Sequence, residues 1–368
     1  MREEVLKNLA VILPSLDPDY KFEGVVNGLV EAGFEHIVMV DDGSDENHKE
    51  PFKKALQNSA CTLLVHEVNK GKGRALKDAF AYVHENLPEV KGVITIDGDG
   101  QHLLKDIIHC GEVMLEKQNQ VILGSRSFDQ EGVPPRSVAG NKFSARMFKL
   151  LFGIKITDTQ TGLRAIPSQY LDLFSKIEGE RFEYETNMLL VMKREKISFY
   201  EQEITTVYDP EDYSSHYNAV KDSARVAKIM LKFLVSGSAF KYVLSSLLGV
   251  AVDNVLFYVL CWNFGVSHQV VIQPISTFIS SIVNFSVNKV WVFEEKDTKT
   301  LGAELLKYYA IFFPRTAISI LSTYLAIDGF NVETAGLGTL LKMVIDIILF
   351  IVVYFLQKKF VFIRKKEK

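Results

Sequence analysis

The stretch "ITIDGDGQH", residues 94–102, sets Asp97, Asp99 and Gln101 at alternate positions directly after a short apolar run. Past a strand, positions i, i+2 and i+4 project to one side while the backbone stays extended, so the three side chains can converge on one ion. Oxygen donors suit Mg2+ or Mn2+, and Mg2+ commonly binds through one or two carboxylates completed by substrate phosphates. Gly98 and Gly100 leave room for a ligand close to the backbone. The same letters also fit an Asp/Gly turn without chemistry. The company of the trio must decide between these readings.

Such a trio needs a rigid edge, and residues 1–217 carry the pattern of one. The runs "LAVILP", "HIVMVDD", "CTLLVHE", "GVITIDGD" and "QVILGSR" are rich in Val, Ile and Leu, as buried parallel strands are. Longer periodic segments such as "RALKDAFAYVHENL" and "LLKDIIHCGEVMLEK" lie between them. Alternation of this kind predicts an α/β fold with a parallel sheet flanked by helices. Ligands of such sheets bind outside the carboxyl ends of the strands. Asp41 and Asp42 end one strand there, and Asp97 with Asp99 ends another. "NKGKGRA", residues 69–75, lacks a full phosphate-loop pattern; its glycines suit either an ordinary loop or one that brings Lys70, Lys72 or main-chain amides to a phosphate.

The formal net charge of −3 argues against a nucleic-acid binder, which needs a basic surface. Cys61, Cys110 and Cys261 are far apart and fit neither a disulfide framework nor a zinc site, so reduced and mostly buried thiols are expected. "MREEVLKNLA" is charged and reads as no signal peptide.

After residue 236 the chain changes character. Four apolar segments, at about 240–262, 270–287, 308–327 and 337–356, approach the ~20 residues that cross a bilayer. Pro274 and Pro314 lie near the starts of the second and third. The connecting loops are alternately basic and free of Lys and Arg, and the tail "QKKFVFIRKKEK" is strongly basic. This pattern predicts an integral membrane protein with four spans and both termini in the cytoplasm. Asp253, Asn254, Asn284, Asn288, Arg315, Lys342 and Asp346 fall inside the spans. Lys342 and Asp346, four apart, suit either a local ion pair or a site for a lipid phosphate or sugar. Between the halves, residues 218–236 space Lys221, Arg225, Lys228 and Lys232 three or four apart, with Ile229, Met230, Phe233 and Leu234 as apolar neighbours. This predicts an amphipathic juxtamembrane helix on an anionic lipid surface. The domains expected are thus 1–217, 218–236 and 237–368.

With these blocks in order, the sequence resembles the family 2 glycosyltransferases of GT-A (Rossmann-like) fold, specifically the polyprenyl-phosphate sugar transferases related to dolichyl-phosphate mannose synthase. "VILPSL", "VDDGSDE", "NKGKGRAL", "IDGDGQH", "ILGSR", "DTQTGLRAIP", "RFEYETNML" and "SSHYNAVKDSARV" carry the likeness over about 220 residues. The all-α four-helix part, including "NFSVNKVWVF", resembles the GtrA-type membrane domain fused to such enzymes. One departure stands out. Where many relatives have "PxYNE" after the first strand, this chain has "PSLDPD", with Leu16 at the aromatic position and Pro18 at the Glu position. Asp17 and Asp19 are the acids available in its place.

The resemblance implies that Asp97, Asp99 and Gln101 hold Mg2+ or Mn2+ at the diphosphate of a nucleotide-sugar. It implies that Asp41 and Asp42 contact the base or ribose beside Pro14 and Leu16, with Lys72 near the phosphates. A polyprenyl phosphate acceptor has its second pKa near 6 and is already an ionised nucleophile, so positioning replaces a strong protein base. Arg126, Arg136 and Lys221 are the expected anchors of that phosphate, Arg126 acting in catalysis as well; Arg164 suits a buried structural role equally. The activity implied is inverting transfer from a nucleoside-diphosphate sugar, UDP favoured, to polyprenyl phosphate on the cytoplasmic membrane face. The alternatives are another membrane acceptor, or a lipid-linked sugar translocator with a nucleotide-sugar-binding platform. The absence of "QxxRW" speaks against a processive synthase. Oligomeric state, including a homo-oligomer, stays open.

Overall fold

The computed structural model describes residues 1–126, 135–205, 219–264, 269–295, 300–329 and 335–362. The chain divides into two compact units, Met1–Leu234 and Val235–Lys368.

In the first unit, α1 (Arg2–Asn8) leads into β1 (Leu9–Ser15), followed by α2 (Tyr20–Ala32), β2 (His36–Asp41), α3 (Glu50–Ala55), β3 (Cys61–Val65), α4 (Lys72–Asn86) and β4 (Gly92–Thr95). Then come α5 (Leu104–Lys117), β5 (Val121–Arg126), α6 (Pro135–Met147), β6 (Arg164–Pro167), α7 (Leu171–Ser175), α8 (Glu183–Glu195), β7 (Phe199–Ile204) and α9 (Ala219–Ser236). The seven strands form one sheet in the order β3-β2-β1-β4-β6-β5-β7. The period-2 alternation of β1 divides the core between the two faces of this sheet. Ala10 and Ile12 pack with α4 and α8 residues such as Phe80 and Leu189, whereas Leu9, Val11 and Leu13 pack with Phe22 of α2 and Ile107 of α5.

The five strands expected from the apolar runs are present, but the sheet is mixed rather than parallel. β6 runs antiparallel to both β4 and β5, pairing Thr95 with Arg164 and Ile122 with Ala165. Its four residues "RAIP" contain no long apolar run, which is why composition did not reveal it. In β1, β2 and β4 the carboxyl ends lie side by side, with Ser15 opposite Asp41 and Ile12 opposite Thr95.

Helix α9 corrects the expectation of a lipid-facing apolar stripe. Ile229, Met230, Phe233 and Leu234 are partly buried against the α/β core, and the Phe233 ring meets Phe152 edge-on at 5.4 Å. Those residues already have a protein partner. Leu231 and Val235 occupy the outward side and are exposed.

The second unit consists of α10 (Ser238–Phe264), α11 (Gln269–Val287), α12 (Leu301–Gly329) and α13 (Ala335–Leu356). Among the described residues, α10 is the one helix long and apolar enough by itself to cross a membrane. Two helical hairpins repeat a common plan. Each opens on Lys-Tyr, at Lys241–Tyr242 and Lys307–Tyr308, and each closes on a related hexapeptide, "NKVWVF" at 288–293 and "QKKFVF" at 357–362. Both closing segments wind into a π-helical turn, Asn288–Val292 and Gln357–Val361. The packing is reciprocal: Tyr242 lies 5.2 Å from Tyr354, and Tyr308 lies 5.3 Å from Phe285. Phe293 stacks on Phe362 at 4.8 Å, and the Asn288 amide donates to Gln357 at 3.3 Å. Asp346 takes a 3.4 Å contact from Arg315 of α12 rather than serving only its own helix. The side chain of Lys342 lies outside the described residues.

Candidate active site

A cavity of about 810 Å³ opens where β1, β2 and β4 end, lined by Pro14, Leu16, Asp42, Lys72, Asp97, Asp99, Gln101 and Arg126 among others. Eight of the residues singled out from sequence therefore share one wall.

Asp97 is held from three sides. Its Oδ1 accepts from Lys72 Nζ at 2.7 Å, its Oδ2 stands 3.7 Å from His102 Nε2, and the carboxylate presses on Gly162. A Cβ at position 162 would lie 2.3 Å from Asp97 Oδ2. Lys72 also donates to Glu185 Oε1 at 3.0 Å. Burial lowers the Lys72 pKa, but the charges of Asp97 and Glu185 outweigh it and keep the ammonium protonated beyond the usual lysine range. Burial likewise raises Asp97, and Lys72 with His102 overcomes it, holding this carboxyl well below the ordinary range.

Asp99 behaves in the opposite way. Burial, and then the neighbouring charge of Asp97, raises its pKa. Its Oδ1 accepts from the Gln101 main-chain amide at 3.0 Å, closing a turn that brings both residues to the cavity. A divalent cation would relieve this repulsion, and only the ionised carboxylate can bind it. Mn2+ affinity is therefore expected to fall, as pH drops, at a pH above that of an ordinary aspartate. Titrating Mn2+ binding by electron paramagnetic resonance at successive pH values checks this, and Asp99→Asn should flatten that part of the profile.

Asp42 has a different task from Asp41. Its carboxylate accepts from the amides of Lys70 at 2.9 Å and Gly71 at 2.7 Å, and it faces His66 Nδ1 at 2.7 Å. The other ring nitrogen of His66 faces Asp78 at 3.0 Å. Asp42 thus ties the glycine-rich loop, and with it the start of α4 and Lys72, to the end of β2. Gly71 there has φ of +103°, and a Cβ on Gly73 would meet that of Tyr184 at 2.5 Å, so both positions require glycine. Asp42→Ala would leave two amides and an imidazole without their acceptor, at a cost of about 1–3 kcal/mol. Urea unfolding should register it as a lowered midpoint. Asp41 is not among the cavity residues; it is buried, and its carboxylate accepts from the Ser44 amide at 2.8 Å.

In the departing loop, both replacement acids line the cavity. Asp17, at φ of +50°, accepts from the Asp45 amide at 2.8 Å, and Asp19 caps α2 by accepting from Lys21 N at 2.8 Å. Arg126 is fixed by a two-pronged pair with buried Asp158, Nε to Oδ2 at 2.6 Å and Nη2 to Oδ1 at 3.0 Å. Arg164 is buried and donates to the carbonyls of Thr161 at 3.0 Å and Glu185 at 3.1 Å, a structural strut that braces the neighbours of Asp97 and Lys72. Lys221 is exposed on α9 and is not among the cavity residues. Arg136 lies on α6 with its side chain outside the described residues.

Sequence reasoning missed Glu185, Asp158, Arg181 and His102. Glu185 and Arg181 sit in "RFEYETNML", where the signal was a buried acid in a helix that has no reason of its own to carry one. His102 is the last letter of the opening motif.

The donor chemistry fits a divalent cation: two carboxylates, an amide, and a raised Asp99 that a cation would relieve. Among the described residues no three His, Cys, Asp or Glu side chains form a metal site as they stand, so binding a cation here calls for side-chain rotation and for further donors such as substrate oxygens.

Fold and cavity together define a mixed-sheet α/β domain of Rossmann type with a cleft at its strand ends, followed by a helical unit. The chain carries a glycosyl transferase family 2 domain, matched over residues 22–174, and a GtrA/DPMS transmembrane domain, matched over residues 241–362. The first unit is accordingly a glycosyltransferase domain of GT-A-like mixed-sheet fold. A UDP-N-acetylglucosamine--dolichyl-phosphate N-acetylglucosaminyltransferase of Methanococcus voltae is 27% identical over 219 residues, 55% of this chain and 86% of that one. Among solved structures, glucosyl-3-phosphoglycerate synthase from Mycobacterium tuberculosis in complex with Mn2+, UDP-glucose and phosphoglyceric acid is 14% identical with a TM-score of 0.47, over 64% of this chain and 83% of that one. Mannosyl-3-phosphoglycerate synthase from Rubrobacter xylanophilus is 15% identical with a TM-score of 0.47, over 64% and 74%.

Proposed function

We propose that this protein transfers a sugar from a nucleoside-diphosphate sugar, with UDP as the nucleotide, to a polyprenyl phosphate at the cytoplasmic face of a membrane. The observation that carries the reading is the cavity at the strand ends, where Asp97, Asp99 and Gln101 face Lys72 and Arg126, in a chain that also bears a transmembrane domain. The Methanococcus relative, named for a UDP-sugar donor and a dolichyl phosphate acceptor, supports the same pair of substrates.

A phosphate oxygen of the acceptor attacks the anomeric carbon, the bond to the diphosphate breaks, and its electron pair leaves with the nucleoside diphosphate. The configuration inverts. Asp97, Asp99 and Gln101 would hold Mg2+ or Mn2+, which when bound would supply electrostatic stabilisation to the leaving diphosphate. Lys72 adds a protonated ammonium beside the same carboxylate. Asp42 keeps the Lys72 loop in place, and Arg126, immobilised by Asp158, presents fixed positive charge to the acceptor phosphate. A dianionic phosphate needs no base to deprotonate it, so no side chain has to move a proton.

The membrane unit is read as four spans with both termini and the catalytic domain in the cytoplasm, a reading supported by the alternation of basic loops with loops free of Lys and Arg. The test is direct. Membranes containing the protein are incubated with labelled UDP- and GDP-sugars, polyprenyl phosphate and Mg2+ or Mn2+, and the label is followed into the lipid phase. Transfer from one UDP-sugar, dependent on polyprenyl phosphate, is expected; label that reaches only a glycan or a diacylglycerol would replace the acceptor assignment.

A further inference from the structure

We infer that His102 is a ligand of the divalent cation, so that this site offers a nitrogen donor beside its carboxylates. The inference rests on the proposed reading of Asp97, Asp99 and Gln101 as metal-holding residues, and it adds the residue that reading lacked.

The side chain of His102 is 6% exposed, and neither Nδ1 nor Nε2 has a hydrogen-bond partner among the described residues. A buried imidazole left unpaired on both nitrogens forfeits the hydrogen bonds it had to water, so such rings are retained where something else uses them. A core histidine packed for bulk alone would face apolar side chains. This one lines the cavity together with Asp97, Asp99 and Gln101.

Its position is set by the backbone rather than by chance packing. His102 follows Gln101 directly and stands two residues before the first residue of α5, Leu104. Nε2 lies 3.7 Å from Asp97 Oδ2, too far for a hydrogen bond. It suits two neighbouring donors of one ion: ligands about 2.1 Å from a metal and at right angles stand roughly 3 Å apart, so a small rotation closes the difference. The carboxylate of Asp97 is divided in the same sense. Oδ1 is committed to Lys72 at 2.7 Å, which leaves Oδ2, the oxygen on the His102 side, for the cation.

A chemical preference follows. Mg2+ demands oxygen donors and gives up its waters reluctantly, whereas imidazole belongs to the transition metals. A site of two carboxylates, one amide and one imidazole favours Mn2+ over Mg2+. His102 is thereby assigned as the residue that sets which ion the transferase uses.

The experiment uses the full chain in nanodiscs, loaded with Mn2+ alone, and reads pulsed electron paramagnetic resonance. The wild-type protein is expected to give the nitrogen coupling of a directly bound imidazole, altered when the protein is made with 15N-histidine. His102→Asn should abolish that coupling, weaken Mn2+ binding about 10-fold or more, and lower the preference for Mn2+ over Mg2+ in competition; His102→Gln serves the same purpose if the first variant does not fold. Bound Mn2+ without nitrogen coupling in the wild type, or coupling and affinity unchanged in the variants, would overturn the inference while leaving the acidic trio intact. If the wild type binds no Mn2+, or Asp99→Ala binds it as well as the wild type, the reading of the trio itself fails.

Discussion

Asp97→Asn is expected to keep the fold and to lower kcat for sugar transfer by about 10²–10³-fold, the scale of losing one preorganised group that stabilises transition-state charge. Asparagine keeps the shape that fits against Gly162 but removes the charge that holds Lys72 and would hold the cation. Lys72 would keep only Glu185, so the change also carries a stability cost of about 1.5–3 kcal/mol from the lost hydrogen bond between charged groups. Transfer of label at saturating donor, beside a thermal melt of the same preparation, separates the two effects. A variant that melts lower and yet transfers at the wild-type rate would remove Asp97 from the chemistry and leave it as a partner of Lys72.

Gly162→Ala should be nearly as damaging, although position 162 offers no side chain to the reaction. The added carbon would stand 2.3 Å from Asp97 Oδ2 and 2.9 Å from its Cγ. Retreat of the backbone is opposed on each side. The Thr95 hydroxyl donates to the Gly162 carbonyl at 2.8 Å, and the Gly124 amide donates to the Leu163 carbonyl at 2.8 Å. The carboxylate must therefore swing away, parting from Lys72 and from the Asp99 side of the cavity. We expect Mn2+ affinity to fall at least about 10-fold with a stability loss of about 1–3 kcal/mol, typical of overpacking. Gly140→Ala on α6, with nothing within 4 Å of its added carbon, is the matched control and should stabilise by about 0.5–1 kcal/mol. Equal Mn2+ binding by the Gly162 variant would mean that Asp97 is free to rearrange, and would weaken its assignment as a ligand.

These two positions also mark what could be read in advance. Asp97, Asp99 and Gln101 were legible because their chemistry is local: a strand end, an alternate spacing and two glycines lie within one nonapeptide. The runs that became β1, β2, β4 and β5 were legible because strands buried on both faces must be apolar throughout. The wall behind the trio was not. Lys72, Asp97 and Glu185 meet across wide gaps in sequence, and no periodicity within any one segment announces such a meeting. Gly162 was visible only as part of "TGLR" until β6 was seen to run antiparallel beside β4. Asp41 and Asp42, adjacent and chemically identical, part company only in the folded chain, one tying a short turn and the other the glycine-rich loop. The apolar side of α9 was legible as a stripe but not as to its partner, because lipid and protein core demand the same residues.

The reciprocal packing of the two hairpins in the second unit makes them resemble an in-chain dimer, built on matched Lys-Tyr pairs and matched closing hexapeptides. Symmetric pairs such as Tyr242 with Tyr308 and Phe293 with Phe362 serve the assembly, since each half needs them for the other. Function is to be sought where the halves have parted. Counting from the matched Lys-Tyr pairs, Arg315 stands where the first hairpin has Gly249; counting from the matched hexapeptides, Asp346 stands where it has Thr277. On one side a glycine lets Asn284 approach, with its Nδ2 3.2 Å from where a Cβ would be, while on the other an arginine reaches across to an acid at 3.4 Å. A duplicated frame that carries an ion pair at these positions in one half only can tell its two sides apart, which a symmetric one cannot.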